Sequence, residues 1–156
     1  MQVFIVGSPL ETAKVLDKRR LNKQIIECQQ ILDALNGKKA WSNHPCTLQY
    51  RGYEKWLIPY LSCLENYYYY KFGKVEFLGS LSKNQLALKS AIKWSELADL
   101  CIPPFHTKEY LDQMKKRLYS KDNNHYKQWA YLGESNQNFY YVDGEWRVYE
   151  NGKRLK

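Results

Sequence analysis

Between Lys14 and Lys23 the chain carries Lys14, Lys18, Arg19, Arg20 and Lys23 against a single acid, Asp17. Such a cluster is suited to holding phosphate. Guanidinium forks take phosphate oxygens in pairs, and an ammonium adds a mobile point charge. On a helix Arg19 and Lys23 stand one turn apart and Glu27 follows four residues later, so one face carries Arg, Lys and Glu in a row. The bland alternative is a solvated face. That usually interleaves its signs more evenly, as the stretch from Lys108 to Asp122 does. Lys18, Arg19, Arg20 and Lys23, with Asn22 inside the same run, are therefore the candidate phosphate ligands.

Further along, Trp41, Asn43 and His44 could supply stacking and base-edge contacts to a bound nucleotide. His44 precedes Pro45, and a structural turn residue is an equal reading of it. Glu27 reads first as the ion-pair partner of Lys23 and second as a general base. His44, His106 and His125 lack metal-ligand spacing. Cys28, Cys46, Cys63 and Cys101 form no C-x-x-C pair, so they read as reduced, buried thiols of a cytoplasmic protein rather than metal ligands. Neither a metal nor a cofactor is expected.

These side chains need helices to place them. Gln2-Val3-Phe4-Ile5-Val6 is a short apolar run, a strand or a buried extended arm. Ser8-Pro9-Leu10-Glu11 then opens a helix, with Ser as N-cap, Pro at the first position and Glu completing a capping box. Helical spacing runs to Asn36-Gly37 through Leu21, Ile25, Cys28, Leu32 and Leu35. Asp17 is a possible second cap, which leaves one bent helix or two.

Residues 38–50 read as a connector around Asn43-His44-Pro45. A helix from about Tyr53 to Lys71 follows, its apolar stripe made of Tyr53, Leu57, Tyr60, Leu61, Leu64 and Tyr68, with Pro59 as a kink or a restart. Ser82-Lys83-Asn84-Gln85 opens another helix to about Ala98. After Pro103-Pro104, Thr107 begins a helix to about Tyr119, and Asp122 caps a short last one through Trp129. The period then changes. Asp143-Gly144 and Asn151-Gly152 are two-residue hairpin turns, and they predict a three-stranded antiparallel meander. Its aromatic face needs the helices or a second subunit to cover it, which leaves a homo-oligomer open.

The fold class is therefore mainly α, one domain over 1–156 with a helical core over 1–130 and the meander over 138–156. A chain of 156 residues suits one core, and 44% apolar residues with five Trp and fourteen Tyr make disorder a poor reading. A formal charge of +8 favours anionic partners, nucleotide or nucleic acid. The apolar stretches are far too short for a membrane span, so no membrane is involved.

At these residues the chain resembles a known family. Arg19-Arg20-Leu21-Asn22-Lys23, Asn36-Gly37-Lys38, Asn43-His44-Pro45-Cys46-Thr47 and the terminal Trp146-Arg147-Val148-Tyr149 with Gly152-Lys153 follow the order of landmarks in the pyrimidine-dimer DNA glycosylase and AP-lyase family, the phage endonuclease V type. The chain is similar above all to uncharacterised phage-encoded relatives, through Asp17 to Glu27 and Asn43 to Cys46. The resemblance implies a compact helical fold whose N-terminus lies over the first helix. It implies an α-amine as imine-forming nucleophile and a Glu of that helix to assist. An α-amine has a pKa near 8, so part of it is unprotonated at neutral pH. Counting from Leu21 puts Gln24 at the place of that Glu, with Glu27 about one turn on, and Gln2 is a residue that retains Met1. The candidate catalytic groups are accordingly Met1 and Glu27. Phosphate binding is carried more plainly than catalysis. The first expectation is a phosphate-ligand binding protein without lyase chemistry, such as a phage protein that sequesters a nucleotide signal. The alternative is a DNA glycosylase/AP lyase acting on damaged or modified pyrimidines, and a third reading is a protein-binding domain.

Overall fold

The computed structural model describes residues 1–73 and 101–156. The expected helix from Ser82 to Ala98 lies outside the described residues. Residues 1–6 form an extended arm rather than a strand. The Ser8 signal works as read: α1 is Pro9–Val15, with Ser8 Oγ accepting from the Glu11 N–H at 3.1 Å.

The basic run begins a separate helix, α2, Lys18–Leu35. Asp17 occupies the N-cap position but makes no side-chain cap bond. Its carboxylate is taken instead by Arg20, at 3.2 Å, and by the Tyr126 hydroxyl. Leu21, Ile25, Cys28 and Leu32 are buried as their spacing requires, and the left-handed Gly37 (φ 104°) follows the end of the helix.

The connector over residues 38–50 is a correction, because it contains α3, Pro45–Tyr50. His44 is its N-cap, with Nδ1 accepting from the Cys46 N–H at 3.1 Å, and Pro45 sits at the first helical position. Histidine stands outside the usual capping set of Ser, Thr, Asp and Asn, so this start was harder to see. Helix α4, Glu54–Phe72, runs through Pro59 without a restart and packs on α1 and α2.

Thr107 caps α5, Lys108–Lys121, through its Oγ1. The short last helix is also corrected. Asp122 closes a turn by accepting from the His125 N–H, and the helix that follows, Lys127–Leu132, is 3-10 rather than α. The meander is as expected: β1 (Gln137–Val142), β2 (Glu145–Glu150) and β3 (Lys153–Arg154), in the order 1-2-3 and antiparallel. Asp143 and Asn151 carry φ of 52° and 50°, ahead of Gly144 and Gly152 at 80° and 75°, the both-positive pattern of a type I′ hairpin turn. Tyr140 and Val142 enter the core of the same chain, and β1 packs on α3 and α5.

Buried tyrosines tie the C-terminal third to the N-terminal helices, because each hydroxyl taken out of water needs a polar partner. Tyr126 both donates to the Asp17 carboxylate and accepts the Asp17 N–H. Burial alone pushes the Asp17 carboxyl up, but hydrogen bonds from Tyr126 and Arg20 and the Arg20 charge outweigh it and hold the group below its usual range. A depressed carboxyl adds stability above its unfolded pKa of about 3.9, and that stability is lost as pH falls through the folded value. Tyr126→Phe should lower the unfolding free energy at pH 7 by about 1–2 kcal/mol in urea melts, and the deficit should shrink below about pH 4. An equal deficit at pH 7 and pH 3 would contradict this account.

Candidate nucleic-acid site

An extended arm buried with no partner strand among the described residues has its backbone groups satisfied through side chains. Val3 and Ile5 are almost wholly buried, so the requirement is strict here. Gln24, itself buried in α2, meets two of these groups: Nε2 donates to the Gln2 carbonyl at 2.6 Å and Oε1 accepts from the Phe4 N–H at 3.0 Å. The Tyr60 hydroxyl lies between the Phe4 carbonyl and Gln24 Oε1. Thr12 accepts from the Val6 N–H at 3.1 Å, and Tyr140 donates to the Met1 carbonyl at 2.6 Å. The Gln2 side chain reaches Tyr110 and the Phe139 carbonyl. The first residue is thereby held over α2.

There it helps to enclose a cavity of about 150 Å³. The arm contributes Met1, Gln2 and Phe4. Helix α2 contributes Arg19, Arg20, Lys23, Gln24 and Glu27. The remaining wall is Arg117 and Lys121 of α5 with Asn138 of β1. Arg117 and Lys121 are four apart and so share one helix face, and Asn138 Oδ1 accepts from Arg117 Nε at 3.0 Å. The alternation of β1 puts Asn138 on the same face as Tyr140, which holds Met1.

Among the described residues five basic side chains thus meet one carboxylate, Glu27, inside the cavity. Glu27 Oε1 lies 3.7 Å from Lys23 Nζ, and Oε2 accepts from the Gln2 N–H at 3.4 Å. Arg20 pairs with Asp17 behind the wall and also donates to the Lys121 carbonyl. Even with both acids counted, these side chains leave an excess of three positive charges. Burial lowers the Lys121 ammonium to about 8, with repulsion from Arg117, Lys23 and Arg20 adding and Glu27 opposing. Burial lowers Arg117 as well.

The basic cluster therefore converges in part. Arg19, Arg20 and Lys23 line the cavity together with the candidate catalytic groups Met1 and Glu27. Lys18 does not; its ammonium stands 5.5 Å over the Phe72 ring. Asn22 also lies off the cavity, with Oδ1 buried and no hydrogen-bond partner among the described residues. Asn43 is exposed and Trp41 is 48% exposed, both away from the cavity. His44 caps α3 and meets Trp41 and Tyr140 edge-on at 5.7 and 5.8 Å. Burial, helped by the charge of the α-amine, lowers His44 to about 4, so its ring is neutral at pH 7, as the capping bond requires. The Tyr-rich helix α4 contributes no wall. Arg117 and Lys121 were missed because the mixed signs of Lys108 to Asp122 read as a solvated face, although their i, i+4 spacing was visible, and Asn138 was missed because a neutral residue of the meander carries no charge signal. Among the described residues no group of three or more His, Cys, Asp or Glu could hold a metal ion, and no helix is long and apolar enough to cross a membrane.

Fold and site together define a mainly helical domain whose first residue closes a cationic cavity on its most basic helix. The family model described as pyrimidine dimer DNA glycosylase matches residues 1–67, which bears out the resemblance to the endonuclease V-like family over that span. The match takes in the arm, α1 to α3, most of α4 and the α2 wall of the cavity, whereas Arg117, Lys121 and Asn138 lie beyond it. No curated protein and no solved structure matches the chain.

If Gln24 holds the arm as described, Gln24→Leu leaves the Gln2 carbonyl and the Phe4 N–H unpaired and should cost about 3 kcal/mol in chemical denaturation. Hydrogen exchange over residues 2–6 should rise while α5 stays protected. Unchanged exchange in the arm would refute this role for Gln24.

Proposed function

We propose that the protein binds nucleic acid by taking one phosphate–sugar unit of a DNA strand into this cavity. The observation that carries the reading is the convergence of Arg19, Arg20, Lys23, Arg117 and Lys121, from two helices, around a space with one carboxylate. A volume of about 150 Å³ is below the ~300 Å³ at which ligand pockets begin, so it accommodates a phosphate with its sugar more readily than a whole nucleotide. Arg19 and Lys23 are exposed and line the cavity, and in this reading they meet neighbouring phosphates of a continuous strand. A strand suits this shape better than a sequestered nucleotide signal, and binding of this kind requires no lyase chemistry.

Fluorescence anisotropy with a labelled duplex over a range of salt tests the proposal. If about four phosphates are engaged, the logarithmic slope should be roughly −3.6, and Arg117→Ala should weaken binding about tenfold and reduce the slope to about −2.7. A slope near zero would rule out the DNA reading. A nucleotide released from the purified, denatured protein and seen by mass spectrometry would favour a free nucleotide ligand instead.

A second reading, a DNA glycosylase/AP lyase, is favoured by one observation: Met1 and Glu27 line the same cavity, and Glu27 touches the peptide N–H next to the amine-bearing residue. In this reading the Met1 amine attacks the sugar carbon and Glu27 handles the proton. Borohydride reduction with abasic DNA should then leave a covalent adduct on Met1. Its absence from protein that still binds DNA would leave binding alone.

A further inference from the structure

We infer that Trp41 is a stacking platform for an unpaired base of the strand whose phosphate and sugar enter the cavity. The inference rests on the reading of the cavity as a phosphate–sugar site, and it adds a second contact outside that cavity. Among the described residues three non-glycine positions have a left-handed backbone: Trp41, Asp143 and Asn151. Asp143 and Asn151 stand in hairpin turns and are of the residue types that tolerate this conformation. Trp41, at φ 64°, is neither. It holds the third position of a turn closed by the Ser42 N–H on the Lys39 carbonyl at 3.2 Å. With a positive φ that position favours Gly or Asn. A bulky aromatic there carries strain that the turn itself does not call for.

Burial does not account for it either. Trp41 is 48% exposed, and its one ring contact among the described residues is edge-to-face with His44, at 5.7 Å and 71°. No aromatic ring lies stacked on the indole. An open aromatic face is the surface on which a base stacks whatever its sequence.

The placement relative to the cavity suits a continuous strand. His44 meets Tyr140 at 5.8 Å, and Tyr140 holds the carbonyl of Met1, which lines the cavity. A strand rising about 3.4 Å per nucleotide covers that path in roughly five nucleotides or fewer. Lys39 is exposed and has no ion pair among the described residues, and Asn43 is exposed on the other side of Trp41. The loop thus interleaves a cation for phosphate, a plane for a base face and an amide that both donates and accepts for a base edge. In a duplex each base face is covered by its neighbours in the stack, so this contact selects an unpaired stretch.

The test compares two labelled single strands of equal length by fluorescence anisotropy. One carries its bases; in the other every sugar is a tetrahydrofuran, which keeps the phosphates and offers neither base nor aldehyde. The unsubstituted chain should bind the base-bearing strand about tenfold more tightly. Trp41→Gly should abolish that preference by weakening the base-bearing strand about tenfold, with the logarithmic salt slope unaltered because an indole engages no phosphate. Its Tm should hold or rise, because glycine accepts the left-handed turn without strain. No preference for bases in the unsubstituted chain, or a preference that survives Trp41→Gly, overturns this inference and leaves binding at the cavity standing. A lowered Tm of Trp41→Gly also overturns it, by assigning the indole to the fold. Failure of both strands to bind, or a salt slope near zero for both, overturns this inference together with the proposed DNA binding.

Discussion

Burying an extended segment with no neighbouring strand removes backbone donors and acceptors from water, and each one left unpaired costs about 1–3 kcal/mol. In this molecule the debt falls on residues 1–6, and the carboxamide of Gln24 meets two of those groups at once. A carboxamide suits the task because it offers a donor and an acceptor on adjacent atoms, as a partner strand would. The Tyr60 and Tyr140 hydroxyls, Thr12 and the Glu27 carboxylate meet others. The position of the first residue, and hence the shape of the cavity, depends on this arrangement.

The second constraint is electrostatic. Gathering five cations around a small space is unfavourable in isolation, and the protein offsets it only in part. Asp17 draws Arg20 from behind, and Glu27 draws Lys23 from inside. Asn138, a neutral acceptor, orients Arg117 without cancelling its charge. The residual repulsion falls on Lys121, the amine that burial already disfavours in charged form. An anion in the cavity relieves the strain, so the same arrangement that costs stability in the free protein favours a phosphate-bearing partner.

The two halves of the chain are held together by hydroxyls. Tyr126 reaches Asp17, Tyr110 meets both Gln2 and Gln49, and Tyr140 reaches Met1. Each of these tyrosines comes from the region beyond residue 101, and each partner lies within the first fifty residues. The cavity inherits that division, with the α2 wall inside the family match and the α5 and β1 wall beyond it.

Much of the architecture was legible in the residues alone. Ser8-Pro9, Thr107 and the Asp-Gly and Asn-Gly pairs act through local geometry, so a reader of the chain could place α1, α5 and the meander. The stripe from Leu21 to Leu32 named the buried face of α2, and the basic run named one wall of the site. The His44 cap of α3 was hidden because an uncommon residue did a common job. Other features were decided by tertiary structure. Local spacing sets Lys108 and Lys115 beside Asp112, whereas the lining of the cavity by Arg117 and Lys121 is decided by tertiary packing. Nothing local shows that Gln24 faces the arm and Lys18 faces Phe72. Propensity, capping and turn chemistry act within a few residues and can be read in order. The gathering of charges depends on which surfaces the buried arm and the tyrosine hydroxyls bring together, and those contacts span more than a hundred residues.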